Sequence, residues 1–370
     1  MTLVKSDWRT VTTFLDSAVA AGAAPGAVLG VSVAGIRFIH ATGQLGADES
    51  QSVSSATVYD LASLTKVVGL TTALMLAVEE GTMNLDLPVQ RYVPAFIGAG
   101  KDRVTLRMLL AHAGGLPPWR PLFRETTSRS EAFALVNVTP LGWAPGTNEG
   151  YSDLGIIVLT QAVEAVYRER LDSLLHRRLF QPLGMESVGY LPAAAARARI
   201  APTELDPWRG RVLRGEVHDE NTARLDGVSG HAGLFGSAPD LLTFSEWLID
   251  GWRGGQVGGR TDASLELSDR PSIRPSVLRE FTRRQSIIPR SSRALGWDTP
   301  TTGGSSGSML SSSSFGHTGF TGTSLWIDPE RRLAIVLLSN RVNPTRNNPR
   351  WMAVRGAIAD LVMTTLEGSR

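Results

Sequence analysis

Short apolar runs stand near both ends of the chain. Residues 27–35 (AVLGVSVAG) have the pattern of a β-strand, and residues 36–43 (IRFIHATG) follow at once, so the pair predicts a hairpin. Residues 323–329 and 332–340 predict a second hairpin that turns at residues 328–331. The economical arrangement is one antiparallel sheet built from strands of both chain ends.

Other apolar runs have helical spacing. Residues 8–22 predict an amphipathic helix, and residues 351–366 predict a helix at the other end of the chain. The dense apolar run at 67–78 predicts a largely buried helix that Gly81 ends. The whole stretch 64–180 is mostly helical in pattern.

These elements predict an α+β fold. Residues 1–60 and 285–370 are expected to form a lobe whose antiparallel sheet is flanked by the terminal helices. Residues 61–284 are expected to form a mostly helical lobe, within one structural unit, and the cleft between lobes is the expected place for a site. Residues 254–275 and 301–314 are predicted loops, and the second, rich in Ser and Gly, is expected to be mobile.

Composition narrows the class of protein. The chain has 370 residues, a formal net charge of +2 and no cysteine, which excludes disulfides and thiolate metal sites and makes nucleic-acid binding unexpected. Its six histidines lack metal-binding spacing, so neither a metal nor another cofactor is expected. No secretory leader pattern or membrane-spanning apolar run is visible, so a cytoplasmic location and no membrane partner are expected, with a periplasmic or secreted location as the alternative if the sequence has been shortened. Oligomeric state stays open.

Ser63 and Lys66 form the first chemical constellation. Three residues apart at the start of the predicted 67–78 helix, they share a face and can meet. A serine hydroxyl becomes a nucleophile when a neighbour takes its proton. Burial and the positive end of the helix dipole are expected to favour a neutral lysine amine that can do so. A serine cap with a solvated lysine is the alternative that this segment alone leaves open.

Tyr151 and Asp153 form the second constellation, in the polar turn 145–153 before another apolar helix pattern. A tyrosinate, or a tyrosine that shares its proton with Lys66, can serve as general base. A packing tyrosine and an aspartate helix cap are the structural alternatives.

The third constellation is the glycine-rich segment 315–322 before a predicted strand. Glycine lets backbone approach a ligand closely, and the N–H of Phe320 is a candidate second oxyanion donor beside that of Ser63. His317 and Thr318 are candidates for binding a substrate carboxylate or orienting Tyr151. An ordinary glycine-rich turn is the alternative.

Together the three segments resemble a known set. Ser63-x-x-Lys66, then Tyr-Ser-Asp at 151–153, then His-Thr-Gly at 317–319, resemble the motifs of serine β-lactamases and penicillin-binding proteins. The tyrosine resembles the class C β-lactamase branch, which includes family VIII carboxylesterases, D-stereospecific aminopeptidases and some DD-peptidases. Residues 104–116 and 230–240 also resemble family segments, so the likeness covers nearly the whole chain.

The resemblance implies a β-lactamase/transpeptidase-like fold and a role for each motif residue. Ser63 would be the acylated nucleophile and Lys66 its proton partner. Tyr151 would be the general base, most clearly for the water that releases the acyl group. The backbone amides of Ser63 and Phe320 would form the oxyanion hole.

Two positions depart from the family pattern. Asp153 replaces the usual asparagine, which should weaken binding of a substrate amide carbonyl or favour a cationic group. His317 replaces the lysine of the third motif, so a fixed positive charge is lost there. His317, Thr318 and Gly319 together are the candidate substrate-binding residues of this motif. Weak or absent β-lactamase activity is expected, because β-lactam substrates carry a carboxylate.

A further segment, 215–221 (GEVHDEN), resembles part of the pattern of cell-wall-recycling amidases and penicillin-binding-like hydrolases. His218, Asp219 and Glu220 are candidates for lining the cleft and binding substrate. A polar loop packed on the helical lobe is the alternative.

The sequence therefore predicts a serine hydrolase that forms an acyl-enzyme on Ser63, with a small-molecule ester or amide as its partner. Carboxylesterase activity is the first choice. An amidase or D-amino-acid peptidase acting on peptidoglycan fragments is the alternative within the same class. A penicillin-binding sensor that is acylated without turnover is the second alternative, but it predicts an anchor or signalling region that the sequence does not show.

Overall fold

The computed structural model describes residues 6–254 and 270–368, so most of the predicted 254–275 loop lies outside the described residues. The strands are β1 (Gly26–Val33), β2 (Ile36–Gly43), β3 (Tyr59–Asp60), β4 (Leu205–Asp206), β5 (Arg211–Val212), β6 (Phe235–Gly236), β7 (Phe315–Thr318), β8 (Ser324–Asp328) and β9 (Leu333–Ser339). The helices are α1 (Arg9–Ala20), α2 (Thr72–Glu79), α3 (Leu106–Leu110), α4 (Leu122–Glu125), α5 (Arg129–Val138), α6 (Asp153–Tyr167), α7 (Leu171–Leu175), α8 (Gln181–Leu183), α9 (Glu220–Arg224), α10 (Ala238–Arg253), α11 (Pro275–Thr282) and α12 (Trp351–Glu367).

One five-stranded antiparallel sheet, in the order β2-β1-β9-β8-β7, joins the two ends of the chain and confirms the predicted α+β class. Both predicted hairpins are present. The first strand ends at Val33, earlier than predicted, because Ala34 and Gly35 have φ values of 53° and 86° and form the two-residue turn.

Helices cover both faces of the sheet. Leu29 and Val31 of β1 pack with α1 and α12, whereas Val28 faces the opposite core, which includes α10. On that second face Ser32 Oγ donates a hydrogen bond to Glu246 Oε1 of α10 at 2.6 Å. The predicted terminal helices therefore flank the sheet. Helix α10 also lies on it, although the predicted boundaries assign that helix to the helical lobe.

The helical run predicted at 67–78 has two parts. Residues Lys66–Thr71 form a wider π-helical turn, and α2 continues from Thr72. Every residue of the π turn is buried, and Gly81, with φ of 72°, follows the end of the run as predicted. Wider turns of this kind occur often at functional sites, and this one holds Lys66.

The Ser- and Gly-rich loop at 301–314 forms hydrogen bonds to two neighbouring elements. Ser308 N donates to Asp360 Oδ1 of α12 at 2.6 Å, and Ser311 N donates to Asp328 Oδ2 at 2.9 Å. Met309 packs against the core between the sheet and the terminal helices. Within residues 6–254 and 270–368, no helix has both the length and the apolar composition to span a membrane.

Candidate active site

The first two motifs meet at Ser63. Its Oγ accepts hydrogen bonds from Lys66 Nζ at 3.0 Å and from the Tyr151 hydroxyl at 3.0 Å. Ser63 lies in the turn just before the π-helical segment, so its neighbour three residues on shares its side of the helix. The structure thus brings together the three side chains to which the sequence assigned the chemistry.

A buried carboxylate that the sequence analysis missed shapes the turn at Ser63. Asp60 is 2% exposed, and its two oxygens accept hydrogen bonds from the Ala62 amide at 2.8 Å and the His218 amide at 2.7 Å. Ala62 has φ of 47°, an unusual conformation for a residue with a side chain. Asp60 therefore stabilises the bend that presents Ser63 to the cleft. The position of Asp60 three residues before Ser63 can be seen in the sequence, but its contact with His218 cannot.

Lys66 is 1% exposed and is paired with Asp153. Its Nζ lies 2.8 Å from Asp153 Oδ1 and donates a hydrogen bond to the His231 carbonyl at 3.0 Å. Burial is the largest effect and lowers the pKa of Lys66, but the Asp153 carboxylate is the strongest opposing group, and the pKa is raised above its usual value. The expectation of a neutral amine at rest was therefore wrong, because it left out the carboxylate.

Asp153 also differs from expectation. The cation that it meets is Lys66 of the same chain, so this carboxylate is already occupied in the resting site. Asp153 is the first residue of α6, and Ser152 Oγ caps that helix by accepting a hydrogen bond from Gly155 N at 3.2 Å. The cap fixes the start of α6, from which the Asp153 carboxylate reaches Lys66.

Tyr151 stands between two histidine rings. Its ring centroid is 4.5 Å from that of His112 and 6.0 Å from that of His317. Burial raises the pKa of Tyr151, and the Lys66 cation only partly opposes this rise. The resting side chain is therefore a phenol that donates to Ser63 Oγ, rather than a tyrosinate.

The two candidate oxyanion donors lie on segments that are joined to each other. Thr321 Oγ1 donates to the Asp60 carbonyl at 2.7 Å, and Thr323 Oγ1 donates to the Leu61 carbonyl at 3.0 Å. Among the described residues, neither the Ser63 amide nor the Phe320 amide donates a hydrogen bond to an acceptor. Both amides are therefore available to an oxygen atom of a ligand.

His317 does not face the cleft as a carboxylate-binding group. It is 4% exposed, and its Nδ1 donates to the Thr318 carbonyl at 2.7 Å. Burial lowers the pKa of His317 to about 3, so the imidazole is neutral at ordinary pH. Gly319 is buried as well, and a Cβ there would lie 2.1 Å from Thr323 Oγ1, so this close approach requires glycine. Phe320 is the residue of this segment that lines the cleft.

His218, Asp219 and Glu220 all line the cleft. Each is already paired: His218 Nε2 lies 2.9 Å from Glu204 Oε1, Asp219 Oδ1 lies 2.9 Å from His231 Nε2, and Glu220 Oε1 lies 2.7 Å from Arg346 Nη2. Asp219 also caps α9. Within the described ranges, no three His, Asp or Glu side chains are placed to hold a metal ion.

The cleft has a volume of about 570 Å³ and an aromatic rim. Trp119 is 49% exposed and Phe320 50% exposed, and Phe123 lies between the ring of Trp119 and that of Trp208. Arg124, which the sequence analysis missed, is exposed at the same cleft. In the part of the chain that the structure describes, its side chain makes no ion pair, so this cation is available to a ligand.

Comparisons with known proteins agree with this arrangement. The sequence model of the family described as Beta-lactamase matches residues 11–359. A relative from Salmonella typhi named "Putative D-alanyl-D-alanine carboxypeptidase" is 31% identical over 331 residues, which are 80% of this chain and 72% of the relative.

Solved structures show the same fold. "A class C beta-lactamase" superposes with a TM-score of 0.75 at 18% identity. The superposition covers 98% of this chain and 97% of the other chain. "EstCE1, a hydrolase with promiscuous acyltransferase activity" superposes with a TM-score of 0.71 at 20% identity. The superposition covers 94% of this chain and 97% of the other chain. The chain therefore belongs to the Beta-lactamase family and is a serine hydrolase.

Proposed function

We propose that this protein hydrolyses small carboxylic esters through an acyl-enzyme on Ser63. The observation that carries the proposal is the position of Ser63 Oγ, 3.0 Å from both Lys66 Nζ and the Tyr151 hydroxyl. A hydroxyl held between two proton-handling groups, at the wall of an open cleft, is the arrangement that nucleophilic catalysis needs.

In acylation, Ser63 Oγ bonds to the ester carbonyl carbon while its proton passes to the coupled Lys66 and Tyr151 groups. This couple must first give up a proton, because at rest Lys66 is charged and Tyr151 is a phenol. The carbonyl oxygen becomes an oxyanion that accepts hydrogen bonds from the Ser63 and Phe320 amides. When the tetrahedral intermediate collapses, the bond to the alcohol breaks and the alcohol oxygen takes the proton from the couple.

In deacylation, a water molecule takes the place of the alcohol. Its proton passes to Tyr151 and Lys66, its oxygen bonds to the acyl carbon, and the bond to Ser63 Oγ then breaks as Ser63 regains a proton. Free carboxylic acid results, and the couple then takes one proton from solvent to restore the resting enzyme. Tyr151 is the better placed of the two groups for this step, because its ring lines the cleft whereas Lys66 is buried behind Ser63.

Esters are favoured over amides and β-lactams as substrates, because the site lacks a donor for an amide carbonyl and a motif cation for a carboxylate. Asp153 is paired with Lys66 and has no N–H to give to a substrate amide carbonyl. His317 is neutral and buried, so the third motif brings no positive charge to a substrate carboxylate. A small ester needs neither contact, only the nucleophile and the oxyanion donors.

D-alanyl-D-alanine carboxypeptidase activity is the second candidate. The name of the Salmonella typhi relative favours it, and so does the exposed Arg124 guanidinium at the cleft, which can pair with a peptide carboxylate. In this reading Arg124 would take the place of the absent third-motif lysine. The substitution Arg124→Ala would then impair cleavage of the peptide and leave that of a neutral ester unchanged.

The test compares the wild-type protein and Ser63→Ala on p-nitrophenyl butyrate, nitrocefin and a muramyl peptide that ends in D-Ala-D-Ala. Butyrate hydrolysis that depends on Ser63 and exceeds cleavage of the other two substrates is expected. Ester turnover that persists in Ser63→Ala would contradict the acyl-serine mechanism. Peptide cleavage far above ester cleavage would replace the ester proposal with the peptidase. A stable penicilloyl adduct on Ser63 without turnover of any substrate would identify a sensor.

A further inference from the structure

The C-terminal helix reaches the oxyanion segment through Arg355. Nη2 of Arg355 donates a hydrogen bond to the Gly319 carbonyl oxygen, and the side chain is 5% exposed. In the described part of the chain no carboxylate pairs with this guanidinium, and its Nε has no hydrogen-bond partner. A buried cation without a counter-ion is costly, so packing alone is a poor account of an arginine here.

The Gly319 carbonyl and the Phe320 amide are the two ends of one peptide group. In a planar trans peptide the C=O and N–H bonds point in opposite directions. With the oxygen held by Arg355 on the side of α12, the N–H is directed away from that helix, and Phe320 lines the cleft. A charged donor on the carbonyl also polarises the amide, which strengthens its N–H as a donor.

A second buried cation lies behind the same segment. The guanidinium carbon of Arg341 is 4.8 Å from the Phe320 ring centroid, and Nη1 donates to the Asn348 carbonyl at 2.9 Å. Burial, with a smaller effect from Arg341, lowers the pKa of Arg355 to about 10, so Arg355 keeps its charge at neutral pH. Two buried guanidinium groups therefore bring positive charge to this segment, whereas His317 in the motif itself is neutral.

We propose that Arg355 is a positioning residue for the oxyanion hole. It fixes and polarises the Gly319–Phe320 peptide, so that its N–H stabilises the negative charge that develops on the substrate carbonyl oxygen. The inference rests on the proposed acyl-serine function. Arg355 contacts neither Ser63 nor the cleft, so its effect should appear where charge develops and not in binding of the neutral substrate.

The test uses Arg355→Met, which removes donor and charge, and Arg355→Gln, which keeps an N–H donor without charge. We expect Arg355→Met to lower kcat on p-nitrophenyl butyrate by about 10- to 100-fold, less than the loss of a direct oxyanion donor. KM should change by less than about threefold. Affinity for phenylboronic acid, whose tetrahedral serine adduct places an oxygen in the hole, should fall with kcat. Arg355→Gln should be intermediate.

Arg350→Gln is the matched control, because it removes an exposed guanidinium that borders the same helix. It should keep wild-type values. If wild type shows no turnover that depends on Ser63, the proposed function fails. If wild type turns over and folded Arg355→Met keeps both kcat and boronate affinity, this inference alone is wrong. Should Arg355→Met not fold, as judged by circular dichroism, wild-type kcat in Arg355→Gln would overturn it.

Discussion

Asp153 Oδ1 lies 2.8 Å from Lys66 Nζ, so a carboxylate holds the ammonium that donates a hydrogen bond to Ser63 Oγ. Asp153 raises the pKa of Lys66 and also raises that of Tyr151. Both groups that take the Ser63 proton in the proposed mechanism are therefore biased toward their protonated forms. In the proposed mechanism, the residue that departs from the family pattern therefore also controls proton transfer.

The substitution Asp153→Asn should shift the pH dependence of hydrolysis. Without the carboxylate, the pKa of Lys66 and that of Tyr151 both fall, so the couple gives up its proton at lower pH. The ascending limb of kcat/KM for p-nitrophenyl butyrate should move down by about 1 to 3 pH units, the usual effect of a close opposite charge. Asp86→Asn, which breaks a pair with Arg107 outside the cleft, is the control. An unmoved limb in Asp153→Asn would contradict this account of the pair.

Removing only the hydroxyl of Tyr151 should distinguish its proposed role in proton transfer from the packing of its ring. Tyr151→Phe keeps the ring contacts with the two histidines but loses the group 3.0 Å from Ser63 Oγ. We expect kcat to fall by about 10²- to 10⁴-fold, with butyryl-enzyme accumulating in intact-protein mass spectra. Tyr190→Phe removes a hydroxyl bonded to the Ser229 carbonyl and should leave kcat unchanged. Near-normal turnover in Tyr151→Phe would exclude Tyr151 as general base.

Local pattern accounts for much of the fold. Both hairpins could be predicted because their strands are apolar runs bounded by turn residues, and the pairing of strands from the two chain ends follows once those runs must be buried together. The spacing of Ser63 and Lys66 predicts their contact, since residues three apart share a helix face.

What could not be predicted depends on tertiary contacts. The charge of Lys66 is decided by Asp153, which lies on another helix, and burial alone gives the wrong sign. Asp60 accepts from an amide 158 positions away, and Arg355 reaches Gly319 across 36 positions. No pattern within a window of one helix or strand reports such pairs.

His317 should make the protein less stable in acid. Its pKa is lowered from 6.5 to about 3 in the folded chain, so below about pH 6.5 the unfolded chain binds a proton that the folded chain does not. Stability from this group is complete above pH 6.5 and falls by up to about 1.4 kcal/mol per pH unit as pH drops toward 3. His317→Asn keeps a donor for the Thr318 carbonyl and should reduce the loss between pH 6.5 and 5 in urea unfolding.

Exposed His176 supplies the comparison for that experiment. His176→Asn removes an imidazole that solvent can reach and should retain the acid sensitivity of the wild type. Equal sensitivity in all three proteins would mean that the folded chain protonates His317 as readily as the unfolded chain does, contrary to its burial.

Asp60→Asn should damage both stability and catalysis. A carboxylate accepts from the Ala62 and His218 amides together, whereas a carboxamide has one oxygen, and its NH₂ would face the other N–H. Leaving one buried donor without an acceptor should cost about 1 to 3 kcal/mol of unfolding free energy. Because the Ala62 amide belongs to the bend before Ser63, kcat should fall as well.

Asp328 offers the matched comparison for Asp60. It is a fully buried carboxylate on β8 that accepts from the Ser311 amide, and it does not line the cleft. Because Asp328 Oδ2 also pairs with Arg331 Nη1 at 2.7 Å, Asp328→Asn should lower the unfolding free energy by at least as much, measured by urea titration, while the folded fraction keeps wild-type kcat. If Asp60→Asn loses stability to the same degree and its folded fraction also keeps kcat, Asp60 supports the fold only, and the bend at Ala62 presents Ser63 without it.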